Sequence, residues 1–233
     1  MSKSNLLLAS LSPSDTAVLQ RYLKPVFLEQ HRVLCEPGQP VDAVYFPVGA
    51  IVSLVVGLST GETVEAAMVG KDGVIGAAAA LDGRISLSRG IVQLAGEAMQ
   101  REVPALRTVA MQSQSLLSMM IRHEQTVYAQ AQQSAACMAA HDIEERLCRW
   151  LLRARDLAGS DTLHFTQEFL AEMLGVRRSS VSVVAHTLQQ AGMIKYSRGR
   201  IQILDLEGLR ETACECYGTI KSQYQLLLGG QAQ

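Results

Sequence analysis

The sequence predicts an α+β protein in which a small β-rich region, a long helical stretch and a winged helix-turn-helix follow one another. Three observations predict this fold class. Residues 37–96 hold ten of the 18 glycines and three of the six prolines. The 54 residues from Ala105 to Ala158 contain neither glycine nor proline. Residues 161–206 have the pattern of a helix, a tight turn, a second helix and a β-hairpin.

The composition is that of an ordinary globular protein. The chain has 233 residues, of which 48% are apolar and 18% charged, with a net charge of −1, which leaves room for one large or two small domains. No apolar run approaches the roughly 18 residues that span a bilayer, and 5-NLLLAS-10 is too short for a signal-peptide core. We therefore expect a cytoplasmic protein with no membrane partner, whose five cysteines are free thiols.

The glycine-rich region contains short apolar segments separated by turn residues, as in a small sandwich or barrel. The predicted strands are 43–46, 50–56, 63–69 and 91–95, with 57-GLSTGE-62 as a hairpin connection. Before them, 12-SPSDTAVLQRYL-23 predicts a short amphipathic helix with a serine or aspartate N-cap.

The stretch without glycine or proline is rich in good helix formers. It predicts one long helix at about residues 108–136 and a second at about 139–158. Apolar residues recur in the first helix at steps of three and four: Leu117, Met120, Val127, Ala131, Ala135 and Met138, with Glu124 interrupting. A seam of this length favours pairing across a dimer, and the alternative is packing on the chain's own β-region.

The C-terminal region predicts two helices around Gly175 and two short strands around 198-RG-199. Thr166 is a plausible N-cap of the first helix, whose buried face is formed by Phe169, Leu170, Met173 and Leu174. In the second helix, Val181, Val184, Ala185 and Leu188 form the corresponding face.

Positive charge is concentrated in this part of the chain. Residues 146–200 carry nine Lys or Arg against four Asp or Glu, which is what contact with a phosphate backbone requires. The second helix begins with Arg177, Arg178, Ser179, Ser180 and Ser182 and has an apolar tail. Arginine at a helix N-terminus opposes the macrodipole at a cost of about 0.3–1 kcal/mol. We therefore predict that these residues bind double-stranded DNA rather than merely solvate the turn.

Further candidate DNA contacts flank this helix start. Arg198 and Arg200 would clamp the backbone from the hairpin, unless that hairpin is a plain surface turn. Thr166 and Gln167, at the start of the first helix, complete the candidate set.

The run 166-TQEFLAEMLGVRRSSVSVVAHTLQQAGMIKYSRGRIQILD-205 resembles the DNA-binding half of the Crp/Fnr transcription regulators. The combination of A-x-x-L-G-x-x-R, L-x-x-x-G-x-I and R-G-x-I-x-I-x-D carries the resemblance, which extends over roughly residues 10–210. It implies a jelly-roll-like β-roll at 10–107, a dimerisation helix at 108–136, a winged helix-turn-helix at 139–210 and a C-terminal helix or tail at 211–233. It also implies a homodimer on a near-palindromic operator, with RNA polymerase as a further partner.

The base-reading residues match this family only in part. Many members have Arg-Glu at the start of the second helix, with a second arginine five residues after the first. Arg178 stands at the first arginine, but Ser179 replaces the acid and Val183 replaces the second arginine. Arg178 is thus the strongest candidate for a guanine contact, and the operator should differ from that of the catabolite activator.

The effector region departs from the cyclic AMP pattern of this family. In 73-GVIGAAAALDGRISLSRG-90, Ala77 follows Gly76 where the ribose-binding glutamate would stand. The candidate effector residues are Gly76, Arg84, Ser86, Ser88 and Arg89, with Ala131 and Gln132 on the long helix where relatives contact adenine. The sequence therefore predicts an effector other than cyclic AMP, of unknown identity.

We assign no cofactor, no metal site and no catalytic residue. The first 34 residues contain no cysteine, which excludes the iron–sulfur sensor of oxygen-responsive members of the family. Cys214 and Cys216 form a C-x-C pair that could bind a metal, be oxidised with a distant partner, or simply be small apolar residues on a terminal helix. The five histidines show no zinc spacing, and we find no nucleophile elbow, phosphate-binding loop or Gly-x-Gly-x-x-Gly motif.

Two alternatives to an effector-controlled regulator remain open at this point. One is a small-molecule-binding signalling module whose winged helix makes protein contacts. The other is a constitutive DNA binder in which the β-roll is a vestigial scaffold.

Overall fold

The computed structural model describes residues 5–228, which divide into two compact units. The first unit comprises residues 5–54, 68–129 and 223–228, and the second comprises 55–67 and 130–222. Across the described part of the chain, no helix combines the length and the apolar character that crossing a bilayer requires.

Two sheets form the β-region. In the first, β1 (Lys24–Leu28), β7 (Gly96–Glu102) and β3 (Ala43–Pro47) pair in that order. In the second, the order is β2 (Val33–Cys35), β6 (Arg89–Leu94), β4 (Ile51–Gly57) and β5 (Thr63–Val69). The four predicted strands correspond to β3, β4, β5 and β6. The sequence missed β1, β2 and β7, because β1 contains Lys24 and Pro25 and β7 carries four polar residues.

The buried core of the first unit lies on the inner faces of these strands. Leu28, Val52, Val69 and Val92 are 2% exposed or less and belong to one apolar cluster. Ala79, from a π-helical turn at Ala79–Gly83, belongs to the same cluster. A second cluster contains Leu19, Phe46 of β3 and residues of the helices described next. Burial of such side chains contributes about 1.5–3 kcal/mol each.

The helices of the first unit begin with α1 (Leu6–Ala9) and α2 (Pro13–Gln20). They continue with α3 (Val103–Gln112) and α4 (Gln114–Ala140), which runs on into the second unit. The prediction of one helix at 108–136 was wrong at its N-terminal end, because the chain breaks at Ser113, which has an extended backbone. The Ser113 hydroxyl accepts a hydrogen bond from the Leu116 amide at 3.1 Å and so caps α4.

Asp15 of α2 is a buried carboxylate that joins three parts of the first unit. Its Oδ2 accepts a hydrogen bond from Ser12 Oγ at 2.8 Å and another from Ser115 Oγ. Hydrogen bonds from Ser113 and Ser115 lower the pKa of Asp15 below its ordinary value. The helix break at Ser113 is therefore held by a partner almost one hundred residues away.

The apolar seam predicted on α4 divides between two environments. Met120 is fully buried in the core of the first unit, and Val127 packs against that core. The large apolar side chains of α4 left exposed are Ile121 (46% exposed) and Tyr128 (67%), which share a stripe with exposed Ala135. This stripe coincides with the predicted seam at Ala135 but departs from it at Met120 and Val127, because the core of the first unit covers that side.

The second unit begins with α5 (Ile143–Ala158), which starts with a capping box between Asp142 and Glu145. The elements that follow are β8 (Thr162–His164), α6 (Gln167–Leu174), α7 (Arg178–Gln190), β9 (Ile194–Ser197) and β10 (Arg200–Ile203). The last two are α8 (Leu206–Thr212) and α9 (Cys216–Leu228). The predicted helix at 139–158 starts instead at Ile143, and residues 229–233 of the predicted tail lie outside the described residues.

An aromatic cluster holds α5 against α6. The ring of Trp150 meets Phe165 edge-on with centroids 4.9 Å apart, and Phe165 stacks on Phe169 at 5.2 Å. The indole Nε1 of Trp150 donates to buried Glu65 at 2.9 Å, so the polar atom of the ring is satisfied. These contacts fix the position of the α6–α7 pair relative to α5.

We predict that Asp15→Asn lowers the free energy of unfolding by about 1 kcal/mol at pH 7, because the amide accepts weaker hydrogen bonds than the carboxylate. The pKa of Asp15 is depressed in the folded state, so its contribution is present above the unfolded value of about 3.9 and is lost as pH falls through the folded value. Urea unfolding at several pH values measures this difference. A gap between the two proteins that stays constant down to strongly acidic pH contradicts the assignment.

Candidate nucleic-acid interface

The α6–α7 pair is joined by a tight turn that requires glycine. Thr166 caps α6 by accepting a hydrogen bond from the Phe169 amide at 3.1 Å, as the sequence predicted. Gly175 ends the helix with φ at +61°, in the left-handed region. A Cβ on Gly175 would also lie 3.1 Å from Val64 Cγ2. The angle between the two helices therefore depends on this position.

One face of α7 is anchored in the core of the second unit. Val181, Ala185 and Leu188 are at most 5% exposed, and Val184 is half-buried. This is the face that the helical periodicity predicted. Because these side chains cannot turn outward without losing their burial, they fix which residues of α7 face solvent.

The N-terminus of α7 is open and basic. Arg177 occupies the N-cap position with an extended backbone (φ −70°, ψ 143°), and no side chain of the described residues caps the helix there. Arg177, Arg178 and Ser179 are all exposed. Free amides at the positive end of a helix dipole, beside two guanidinium groups, form an arrangement suited to binding phosphate or another anion.

The outward face of α7 continues from this basic start at steps of four residues. Val183 is 67% exposed and His186 is also exposed, and both lie on the same face as Arg178 and Ser179. We did not include Val183 or His186 among the candidate DNA contacts. Extending the helical period from Arg178 and Ser179 would have found them.

Three of the predicted DNA-contact residues already make hydrogen bonds within the chain, namely Thr166 as the cap of α6 and the Ser182–Gln167 pair. The half-buried Ser182 donates its hydroxyl to Gln167 Oε1 at 2.6 Å and lies 3.0 Å from the Arg178 carbonyl oxygen. This pair ties α7 to α6. Ser180 is half-buried at the end of the first turn. Arg177, Arg178 and Ser179 are therefore the exposed polar side chains of the helix start.

The hairpin beside this helix has a strained arginine at its tip. Strands β9 and β10 pair antiparallel, with Ser197 opposite Arg200. The two turn residues, Arg198 (φ +50°) and Gly199 (φ +76°), both have positive φ, as a two-residue type I′ turn requires. Asparagine or aspartate usually precedes glycine in such turns, whereas Arg198 places a second exposed charge near that of Arg200.

The first unit contains a cavity of about 490 Å³ at the predicted effector region. Gly76, Ser86 and Ser88 of the candidate effector residues line it, together with aliphatic residues: Val41, Leu54, Val74, Ile75, Ile85 and Val127. Of the described residues that line it, none is lysine or arginine, and Glu124 is the charged one.

The other candidate effector residues are not brought to this cavity. Arg89 forms an ion pair with Glu36 at 3.2 Å, and Arg84 is not part of the lining. Ala131 and Gln132 belong to the second unit, where Gln132 is exposed. Among its described lining residues, the cavity thus lacks the guanidinium that a bound phosphate would need.

Comparison with known proteins agrees with this architecture. A family model described as the Crp-like helix-turn-helix domain matches residues 145–212. This segment contains most of α5, then β8, α6, α7, the β9–β10 hairpin and α8. No curated protein matches the chain.

Solved structures extend the likeness to most of the chain. FixK2 from Bradyrhizobium japonicum has a TM-score of 0.70 at 15% identity, with 82% of this chain and 98% of FixK2 covered. A Crp/Fnr-family transcriptional regulator from Thermus thermophilus has a TM-score of 0.67 at 24% identity, covering 82% and 98%. The c-di-GMP-responsive regulator CLP from Xanthomonas campestris has 0.64 at 15%, covering 82% and 99%. At these identities the likeness shows a common fold, which confirms the predicted fold class.

We predict that Arg198→Asn raises the free energy of unfolding by about 0.5–1 kcal/mol, because asparagine tolerates the left-handed conformation better than arginine does. Chemical denaturation followed by tryptophan fluorescence measures the change, since Trp150 is the one tryptophan and lies in the second unit. Arg200→Asn is the matched control, because Arg200 is exposed but extended and should show no such gain. Equal effects of the two substitutions contradict a strained turn.

Proposed function

We propose that this protein, a Crp/Fnr-type chain with a Crp-like helix-turn-helix domain, is a cytoplasmic transcription regulator that binds a near-palindromic operator as a homodimer. The observation that carries the proposal is the start of α7, which is uncapped, doubly basic and exposed. Its apolar back face is held in the core. A surface helix that meets only solvent gains nothing from an uncapped first turn that carries two arginines.

On DNA, α7 enters the major groove with its N-terminal residues towards the base edges. Arg178 is suited to donate two hydrogen bonds to O6 and N7 of a guanine, and the exposed Val183 is suited to contact a thymine methyl group. The open amides of the helix start bind a backbone phosphate. Arg198 and Arg200 of the hairpin provide a second phosphate contact.

The exposed stripe of α4 supports the homodimer. Ile121, Tyr128 and Ala135 follow one another at seven-residue steps on a 27-residue helix, and exposed apolar side chains at this spacing are typical of a coiled-coil interface. In the dimer, the two copies of α7 would enter successive major grooves about 34 Å apart. Contact with RNA polymerase would then raise or lower transcription.

The cavity of the first unit supports an effector that is not a cyclic nucleotide. CLP is described as responsive to c-di-GMP, but here an anionic phosphate would meet Glu124 and find no guanidinium among the described lining residues. We infer that the effector is a largely apolar molecule without negative charge. Its binding would shift the population between conformations that differ in DNA affinity.

We predict that Arg178→Ala weakens binding to an operator selected from random DNA by about 1–3 kcal/mol, because one bidentate base contact is lost. Binding to unrelated DNA should change much less. Gel-shift titrations of both DNAs at two salt concentrations provide the measurement.

Arg177→Ala is the matched control for Arg178→Ala in this experiment. It should weaken binding to both DNAs to a similar degree and reduce the slope of log K against log salt by about one, as loss of a phosphate contact does. If the unsubstituted protein binds no DNA, or binds without salt dependence, the regulator proposal is wrong. The protein-contact module then becomes the better explanation.

We predict that Ile121→Glu converts the dimer into a monomer and weakens operator binding at least tenfold, because it places two charges in the apolar interface. Sedimentation velocity measures the oligomeric state. Val18→Glu on α2 is the control, since Val18 is similarly exposed (44%) but lies away from the stripe. A dimer that survives Ile121→Glu would show that α4 is not the interface.

A further inference from the structure

Three cysteines and a histidine of the second unit converge on one point. Cys137 lies in the last turn of α4, and His141 follows one helical turn later. Cys214 and Cys216 come from the connection between α8 and α9 and from the first residue of α9. The four ligand atoms all lie within 4.8 Å of one another. We propose that this cluster is a tetrahedral Cys₃His site for a thiophilic divalent ion of the zinc class.

The distances between the ligand atoms suit a tetrahedral ion. Cys137 Sγ lies 3.5 Å from Cys214 Sγ, and Cys216 Sγ lies 3.6 Å from His141 Nδ1. A zinc ion with bonds of about 2.3 Å to sulfur places two sulfur ligands about 3.8 Å apart. Small side-chain rotations therefore bring the four atoms into coordination, and three thiolates with one imidazole form a set that structural zinc sites use.

The histidine is oriented for coordination. Its Nε2 lies 3.1 Å from Glu215 Oε2, and its Nδ1 faces the sulfur atoms. A carboxylate on the far nitrogen is the usual partner of a metal-binding imidazole, because it fixes the tautomer and makes the ring more basic. Gln133 donates from Nε2 to Cys216 Sγ at 3.0 Å, which supplies a second outer contact.

The cluster lies beside a buried positive charge. The charge of Arg149 acts on Cys137, whereas burial raises the pKa of Cys148, which lies outside the cluster, to about 12, as expected of an inert core thiol. Three thiolates around a divalent ion leave one negative charge, which the buried Arg149 partly balances. Coordination replaces the remaining thiol protons, which pass to solvent, and no electron is transferred.

A disulfide between Cys137 and Cys214 explains less of this arrangement. It would use two of the sulfurs and leave Cys216, His141 and Glu215 without a common role. The three cysteines form a buried cluster of their own, whereas the His141 side chain keeps 15% of its surface exposed and offers an entry path. The ion would join the end of α4 to the segment that follows the winged helix.

The site can be tested on the full-length chain, reduced and then dialysed against Zn²⁺ followed by metal-free buffer. We expect about one zinc per chain by elemental analysis. Replacement by Co²⁺ should give the intense visible absorption of a tetrahedral thiolate complex. Cys137→Ser, Cys216→Ser and His141→Ala should each lose this stoichiometric binding, while Cys35→Ser in the first unit should keep it.

Glu215→Gln distinguishes loss of zinc affinity from failure to fold, because the Glu215 side chain is 75% exposed. It should keep the fold and lower zinc affinity about 10–100-fold, as removal of an outer carboxylate does, in competition with a chromogenic chelator. A reduced wild-type protein that takes up no zinc overturns the proposal, as does equal zinc loss in Cys35→Ser. Protein that is isolated with a disulfide but binds one zinc after reduction supports it. None of these readouts depends on DNA binding.

Discussion

The burial of one face of α7 is the constraint on which the candidate interface depends. A 13-residue helix is only marginally stable alone in water, so α7 exists because Val181, Ala185 and Leu188 pack into the second unit. That anchoring leaves Arg178, Ser179 and Val183 outward with no freedom to rotate away. The Trp150–Phe165–Phe169 cluster and Gly175 then fix α6. The proposed base-reading groups are held in place by apolar packing rather than by their own contacts.

The proposed DNA-contact surface and the proposed effector cavity differ in the charge of their side chains. The N-terminus of α7 and the hairpin tip carry exposed arginines, which suits a polyanion. The cavity of the first unit has the opposite character, since aliphatic side chains surround it and Glu124 is the charged residue among its described lining. The sequence lacks the cyclic AMP pattern of the family. The cavity agrees with this, because its lining is unfavourable for a phosphate.

The local features of this chain were predictable from the sequence because short-range chemistry determines them. The caps of α6, the turn at Gly175 and the hairpin at Arg198–Gly199 each depend on residues within a few positions. The buried face of α7 follows from helical periodicity alone. The polar strand β7 was missed because pairing with β1 and β3, not its own composition, makes it a strand.

The sequence by itself determined the α+β class, the order of the elements and the basic start of the second helix of the helix-turn-helix, since these follow from composition, periodicity and turn chemistry. Only the tertiary structure decided the break at Ser113, which a carboxylate from α2 holds, and which side of α4 stays exposed. It also decided that Cys137 and His141 meet Cys214 and Cys216, although no spacing motif links them. The physical reason is the same in each case: the partners lie far apart along the chain, and only folding brings them within contact distance.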